Sequence, residues 1–280
     1  MIAYWLYKFC YLLAVLLPLN MAYGVAVFLS TLKFYLSPRD RKAVFANLRK
    51  ILPDAGQKQV HSCAKEVFIN FGKYLIEFFR VSYLKKEDFG SYVKIEGIEH
   101  IEEALKRGKG AIILSAHVGN WELGGIFMSL LGYPMFAVAL PHRHKKVNEL
   151  FNYQRERLGV VVVPSLGVAL RRIFDALKKN QLVALVGDRD FANGGKKMSF
   201  LGATKVIPRG PAVLAKRTGA SIVPGFMIRQ PDDSHILRFL PPISTEGTES
   251  SIMEEYARAI EDIVRQYPAQ WLMFRKFWEE

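Results

Sequence analysis

His117 stands at the end of the apolar run Ala111-Ile112-Ile113-Leu114-Ser115-Ala116, and Glu122 follows it across Val118-Gly119-Asn120-Trp121. An imidazole at the tip of a buried strand is placed to move a proton. A carboxylate near the start of the next helix can accept a hydrogen bond from one ring nitrogen. Such a bond fixes the tautomer and leaves the other nitrogen to take a proton from a substrate hydroxyl. The pair reads as the base-and-orienter half of a triad whose nucleophile the substrate supplies. A satisfied core histidine is the plainer alternative, but the strand-tip position and the neighbours Asn120 and Trp121 favour chemistry.

A second strand tip carries Val186-Gly187-Asp188-Arg189-Asp190-Phe191, ahead of a loop with Asn193-Gly194-Gly195-Lys196-Lys197. Charges at the mouth of a sheet are costly unless paired or used. An Asp188 to Arg189 salt bridge is one reading; the other gives Arg189 to substrate, since a guanidinium holds phosphate or carboxylate bidentately. Arg209 and Gly210 open a later helix, where Arg209 could join Arg189 as an anion clamp at the end of the sheet that carries His117. Other chemistries lack their residues. No G-x-S-x-G elbow makes Ser115 or Ser165 a nucleophile, Gly194-Gly195-Lys196-Lys197 lacks P-loop spacing, and His142-x-His144 has no nearby carboxylate or cysteine to complete a metal site. No metal or cofactor is expected.

These tips require an α/β layer structure. Apolar runs at 110–116, 135–140, 160–163, 182–187 and 221–228 read as strands, with helices at 121–131, 145–158, 167–179 and 209–218 between them. A last edge strand is expected at 236–240 and a helix at 249–267. Continuous rather than alternating apolar strands imply a sheet covered on both faces, mostly parallel or mixed. Ahead of this core at 92–280 lies a helical lead-in at 37–91, with a basic amphipathic helix at 40–51 and a core helix at 57–84. The basic helix suits either a headgroup layer or the domain surface. No linker divides residues 37–280, which read as one domain.

The chain has 280 residues, half of them apolar and 23% charged, which excludes disorder. Lys plus Arg at 39 against Asp plus Glu at 26 leaves +13, a surface for an anionic partner. Two cysteines exclude a disulfide scaffold and fit a reducing compartment. Residues 9–32 form a stretch of 24 without a formal charge, interrupted by Pro18 and Asn20. Residues 1–36 are therefore expected to be a membrane anchor, crossing or lying in the bilayer; Ala22-Tyr23-Gly24 keeps a cleaved signal peptide as rival. The cations Lys33, Arg39, Arg41, Lys42, Arg49 and Lys50 after it place the body on the cytoplasmic face.

At the two tips the sequence resembles a known family. His117 and Glu122 match the HX4(D/E) motif of the glycerolipid acyltransferase superfamily, and 113–122 is similar to the bacterial lipid A late acyltransferases. Gly187-Asp188-Arg189-Asp190, Phe200-Leu201-Gly202, Pro208-Arg209-Gly210-Pro211-Ala212 and Thr218-Gly219-Ala220 resemble that family's downstream blocks and those of mycobacterial phosphatidylinositol mannoside acyltransferases. The resemblance implies transfer of a fatty acyl chain from an acyl thioester, on acyl carrier protein or coenzyme A, to a hydroxyl of a glycolipid at the inner membrane. His117 becomes the general base and Glu122 its partner. Asn120, Trp121, Arg155, Asp188, Arg189, Arg209 and Gly210 become candidate substrate-binding residues, Arg155 through its R-x-x-x-G spacing to Gly159. Where many lipid A enzymes have Tyr-Arg-Pro, this chain has Ala139-Leu140-Pro141 with Arg143 beyond, so the acceptor stays open between a lipid A precursor, a phosphatidylinositol mannoside and another lysophospholipid. A membrane-tethered nucleic-acid binder is the reading from a different class. The spread of the basic residues and the lack of a recognised nucleic-acid module argue against it.

Overall fold

The structure is a computed structural model and describes residues 2–83, 89–142, 144–164, 169–191 and 194–279. Four helices lead in: α1 (Ile2–Leu16), α2 (Leu19–Leu36), α3 (Pro38–Ile51) and α4 (Gln57–Arg80). Then follow α5 (Phe89–Tyr92), β1 (Val93–Glu96), α6 (Ile98–Lys106), β2 (Ala111–Ser115), α7 (Trp121–Leu130), β3 (Met135–Ala139), α8 (Lys145–Glu156), β4 (Val161–Pro164), α9 (Ala169–Lys178) and β5 (Leu182–Val186). The chain continues through β6 (Lys196–Phe200), β7 (Ala203–Ile207), α10 (Gly210–Thr218), β8 (Ser221–Arg229), β9 (His235–Phe239) and α11 (Glu249–Gln266).

Seven strands form one sheet in the order β1-β9-β8-β2-β5-β3-β4, parallel throughout except for the β8/β9 pair. This is the expected mixed, mostly parallel sheet between helices. β2 is buried at every residue because it lies mid-sheet with helices on both faces, which is why it reads as an unbroken apolar run. β9 is not the edge strand it was expected to be, since β1 pairs outside it. The hairpin β6/β7 was not anticipated: its exposed Lys196 and Lys197 mask a short alternation, and its tight turn places Leu201 and Gly202 at φ 50° and 78°.

The lead-in helices pack into the same core. Val44, Leu48 and Ile51 of α3 are buried, and Asn47 donates to the Met273 and Arg275 carbonyls, so the basic helix at 40–51 takes the packed alternative. The apolar stretch at 9–32 divides at Pro18 into two helices. Ala22, Tyr23, Ala26, Ser30 and Phe34 of α2 face inward, and α2 alone among the described helices is long and apolar enough to cross a membrane.

Candidate active site

Pairing of β2 with β5 brings the two charged tips together. Ser115 is in register with Val186, so His117 and Asp188, each two residues further on, face one another. His117 Nδ1 lies 2.7 Å from Asp188 Oδ1, while the His117 backbone N–H donates to Asp188 Oδ2 at 3.0 Å. Trp271 Nε1 donates to the same Oδ2 at 3.0 Å. Asp188 is fully buried, and burial alone would raise its pKa; the adjoining His117 and the donated hydrogen bonds outweigh that and hold it below the ordinary carboxylate value. With Nδ1 engaged, Nε2 is the ring nitrogen left for a substrate.

The expected orienter, Glu122, is turned elsewhere. Its carboxylate accepts two hydrogen bonds from Arg155, Nε at 2.7 Å and Nη2 at 2.5 Å, and Asp188 holds the imidazole instead. Glu122 is the second residue of α7, and its side chain points across to α8 rather than back to the strand tip. Burial works against the charge of Arg155, but Glu122 outweighs it and the guanidinium's pKa is raised.

The loop from His117 to Asn120 is pinned on several sides. Leu272 N–H donates to the His117 carbonyl at 2.8 Å, Gly119 N–H to Gln270 O at 2.9 Å and Asn120 N–H to Met227 O at 2.9 Å. Gly119 has φ 63°, and a Cβ there would collide with the Met227 carbonyl, so glycine is required on both counts. Asn120 caps α7 by accepting from Leu123 N–H at 3.1 Å, and its Nδ2 donates to Glu77 Oε2 at 2.8 Å. Glu77 is itself buried against Arg229 and His235, and the charge and hydrogen bond of Arg229 outweigh its burial and hold its pKa well below the ordinary carboxylate range. Asn120, a candidate substrate contact, is thus a cap held from below.

His117, Trp121, Glu122 and Arg155 line a cavity of about 280 Å³ with Tyr74, Leu140, His142 and Phe151. Beneath it an apolar slot of about 30 Å³ continues between Gly124, Met128, Met135, Gly225 and Met227, sharing Ser115, Trp121, Gly125 and Ala184 with the cavity. Ser115 Oγ is buried there without a hydrogen-bond partner. The Trp121 ring packs against His117 at 4.9 Å and stacks on Tyr74 at 4.9 Å.

Arg189 lies at the rim with its guanidinium 4.6 Å from the Phe191 ring, and that ring is 6.4 Å from His117. Arg209 precedes α10 and pairs with Glu249 at 3.7 Å; neither it nor Gly210 lines the cavity, so the expected two-arginine clamp is not assembled. Arg143, Ser165 and Asn193 lie outside the described residues.

Sequence reasoning missed Tyr74 and His142, which line the cavity, and the site role of Trp271. No local pattern marks Trp271: its importance arises where the segment after α11 crosses the tip of β2 at the Val118 to Trp271 bridge. A separate cleft of about 460 Å³ between β6 and α11, lined by Lys196, Met253 and Arg258, lies outside this site.

A half-buried histidine held by a fully buried carboxylate at the tips of adjacent parallel strands opens on a partly apolar cavity. Residues 1–280 match the bacterial lipid A biosynthesis acyltransferase family, and the chain belongs to it. It is 28% identical over 213 residues to the phosphatidylinositol mannoside acyltransferase of Mycolicibacterium smegmatis, covering 75% of this chain and 70% of that protein. To the lipid A biosynthesis acyltransferase of Haemophilus influenzae it is 23% identical over 223 residues, 79% of this chain and 70% of the relative. With the lipid A biosynthesis lauroyltransferase of Escherichia coli it shares 22% over 274 residues, 95% and 88% of the two chains.

Proposed function

We propose that the protein transfers a fatty acyl chain from an acyl thioester, on acyl carrier protein or coenzyme A, to a hydroxyl of a membrane glycolipid. The single observation that carries the mechanism is the Asp188 carboxylate on His117 Nδ1, which leaves Nε2 for the acceptor. Nε2 takes the acceptor hydroxyl proton as that oxygen attacks the thioester carbonyl. The tetrahedral intermediate then collapses with cleavage of the carbon–sulfur bond, and the proton passes from Nε2 to the departing thiolate. Asp188 stabilises the transient imidazolium. The amino end of α7, beginning four residues beyond His117, turns its positive dipole end toward this loop, which favours the oxyanion.

The apolar wall of the cavity at Ile126, Ala137, Val138 and Leu185 suits the hydrocarbon of the acyl group, and the Glu122 to Arg155 pair suits a polar headgroup. A lipid A precursor is the first acceptor reading, from the family; a phosphatidylinositol mannoside is the second, supported by the likeness to the mycobacterial enzymes. The cations after α2 support a body on the cytoplasmic face of the inner membrane.

The deciding experiment is mass spectrometry of membrane lipids from cells with and without the protein, paired with thioester consumption by the purified enzyme. One lipid class gaining an acyl group names the acceptor. His117→Ala should reduce turnover by about 100- to 10 000-fold with its fold intact, and full activity in a folded variant would remove the mechanism.

A further inference from the structure

Residues 1–36 hold two cations, Lys8 and Lys33, and no acidic residue, and the structure gives both helices two dissimilar faces. One face of α2 lies along α4 from end to end. Tyr23 donates to Glu77 at 2.8 Å, Gly72 allows Ala26 and Ser30 to approach closely, and the Phe34 ring meets Phe68 at 5.3 Å. The opposite face is bare and apolar: Trp5, Phe9, Leu12 and Leu16 on α1, Phe28 and Leu32 on α2.

α4 decides how such a surface can meet a bilayer. It carries Lys73, Glu77 and Arg80 on the side toward α1 and α2, and these pair with Asp233 at 2.6 Å, with Arg229, and with the Ala14 and Leu17 carbonyls at 2.8 and 2.6 Å. If α2 crossed the membrane, α4 and its partners on β8 and β9 would be carried to hydrocarbon depth, where every such charge is expensive. α2 is also about 27 Å long, short of a comfortable straight span. Lying flat removes both difficulties. The apolar ridge enters one leaflet while the charged partners stay above it.

Cations mark the border of the ridge. Lys8 Nζ sits 5.4 Å from the Trp5 ring, Lys146 Nζ 5.6 Å from the Tyr4 ring, and Lys33 Nζ 5.1 Å from the Phe274 ring, so each stem covers apolar surface while its charge reaches the headgroup level. Tyr7 of α1 packs at 5.3 Å on Phe151, which lines the site cavity. The bilayer-facing surface is therefore one side-chain layer from the chemistry.

We propose that α1 and α2 form an in-plane seat on an anionic leaflet, with neither helix crossing, so that a lipid acceptor reaches the His117 cavity from the side. The seat rests on the lipid-acceptor reading for its purpose, but its test does not read acyl transfer. In the full chain with Cys10→Ser and Cys63→Ser, single cysteines are placed by Lys8→Cys, Asn20→Cys and Glu254→Cys. A membrane-impermeant maleimide is then applied to sealed vesicles of either orientation. All three positions should label from the same side. Labelling of position 8 or 20 from the side opposite position 254 overturns the seat.

In a second arm, the purified chain is sedimented with phosphatidylcholine vesicles with and without phosphatidylglycerol. Phe28→Glu with Leu32→Glu should lower binding about tenfold at unchanged Tm, and anionic lipid should raise wild-type binding. Unchanged binding by the double variant, or a dimer in solution closed over this face that ignores vesicles, overturns it.

Discussion

His117 and Asp188 are 71 positions apart in the chain, yet His117 Nδ1 and Asp188 Oδ1 lie 2.7 Å apart, because β2 and β5 are hydrogen-bonded neighbours in the sheet. The carboxylate is fully buried and also accepts from the His117 backbone and the Trp271 indole. Three donors converge on one side chain and fix the imidazole plane.

Asp188→Asn should therefore lower kcat heavily, by roughly 100- to 10 000-fold, because an amide can donate to Nδ1 and select the wrong tautomer. Its Tm should fall far less than that of Asp188→Ala, which leaves Trp271 Nε1 without its acceptor. Near wild-type turnover by Asp188→Asn would assign the orienting role to another group.

Glu122 and Arg155 should behave as a structural ion pair as well as a cavity wall. Both side chains are about nine-tenths buried, at 12% and 9% exposure. Glu122→Ala leaves a buried guanidinium unpaired and should cost about 3 to 5 kcal/mol in denaturant unfolding. Adding Arg155→Met should recover part of that loss. A double-mutant cycle with no coupling would show that the pair does not hold α7 to α8.

Ser115 has the opposite profile. Its hydroxyl is buried without a partner where cavity and slot join, so Ser115→Ala removes an unsatisfied group and should leave Tm unchanged or raised. A drop in acyl transfer by that stable variant would show that the hydroxyl contacts substrate. A large loss of Tm would instead reveal a structural hydrogen bond.

His142 links pH to stability. Burial first, and then nearby Arg155, lower its pKa from the ordinary 6.5, so the folded protein binds fewer protons at this site than the unfolded chain. Stability from the neutral ring is present above that value and is lost as pH falls through it toward the folded pKa. Thermal melts between about pH 7.5 and about pH 5.5 should show a steeper loss for wild type than for His142→Phe. Parallel curves would mean that this ring does not titrate differently on folding.

Much of the architecture follows from local patterns. The fully buried β2 appears in sequence as Ala111-Ile112-Ile113-Leu114-Ser115, since a strand covered on both faces has no polar side to show. The tips are equally visible: His117 and Asp188 stand where an apolar run meets charge, a costly arrangement unless it is used. Strand order is not visible in this way, because parallel partners are joined through distant crossovers and the pairing of β2 with β5 leaves no mark within either segment. Sequence proximity consequently suggested Glu122 as the partner of His117, whereas tertiary structure supplied Asp188 and turned Glu122 to Arg155.

The amino-terminal helices make the same division. Composition dictates an apolar, acid-free segment broken at Pro18, and that alone fits either a span or a surface. Only the packing of α2 along α4 separates its buried face from its bare one, because which side of a helix meets protein is settled by the neighbour it packs against and not by its own residues.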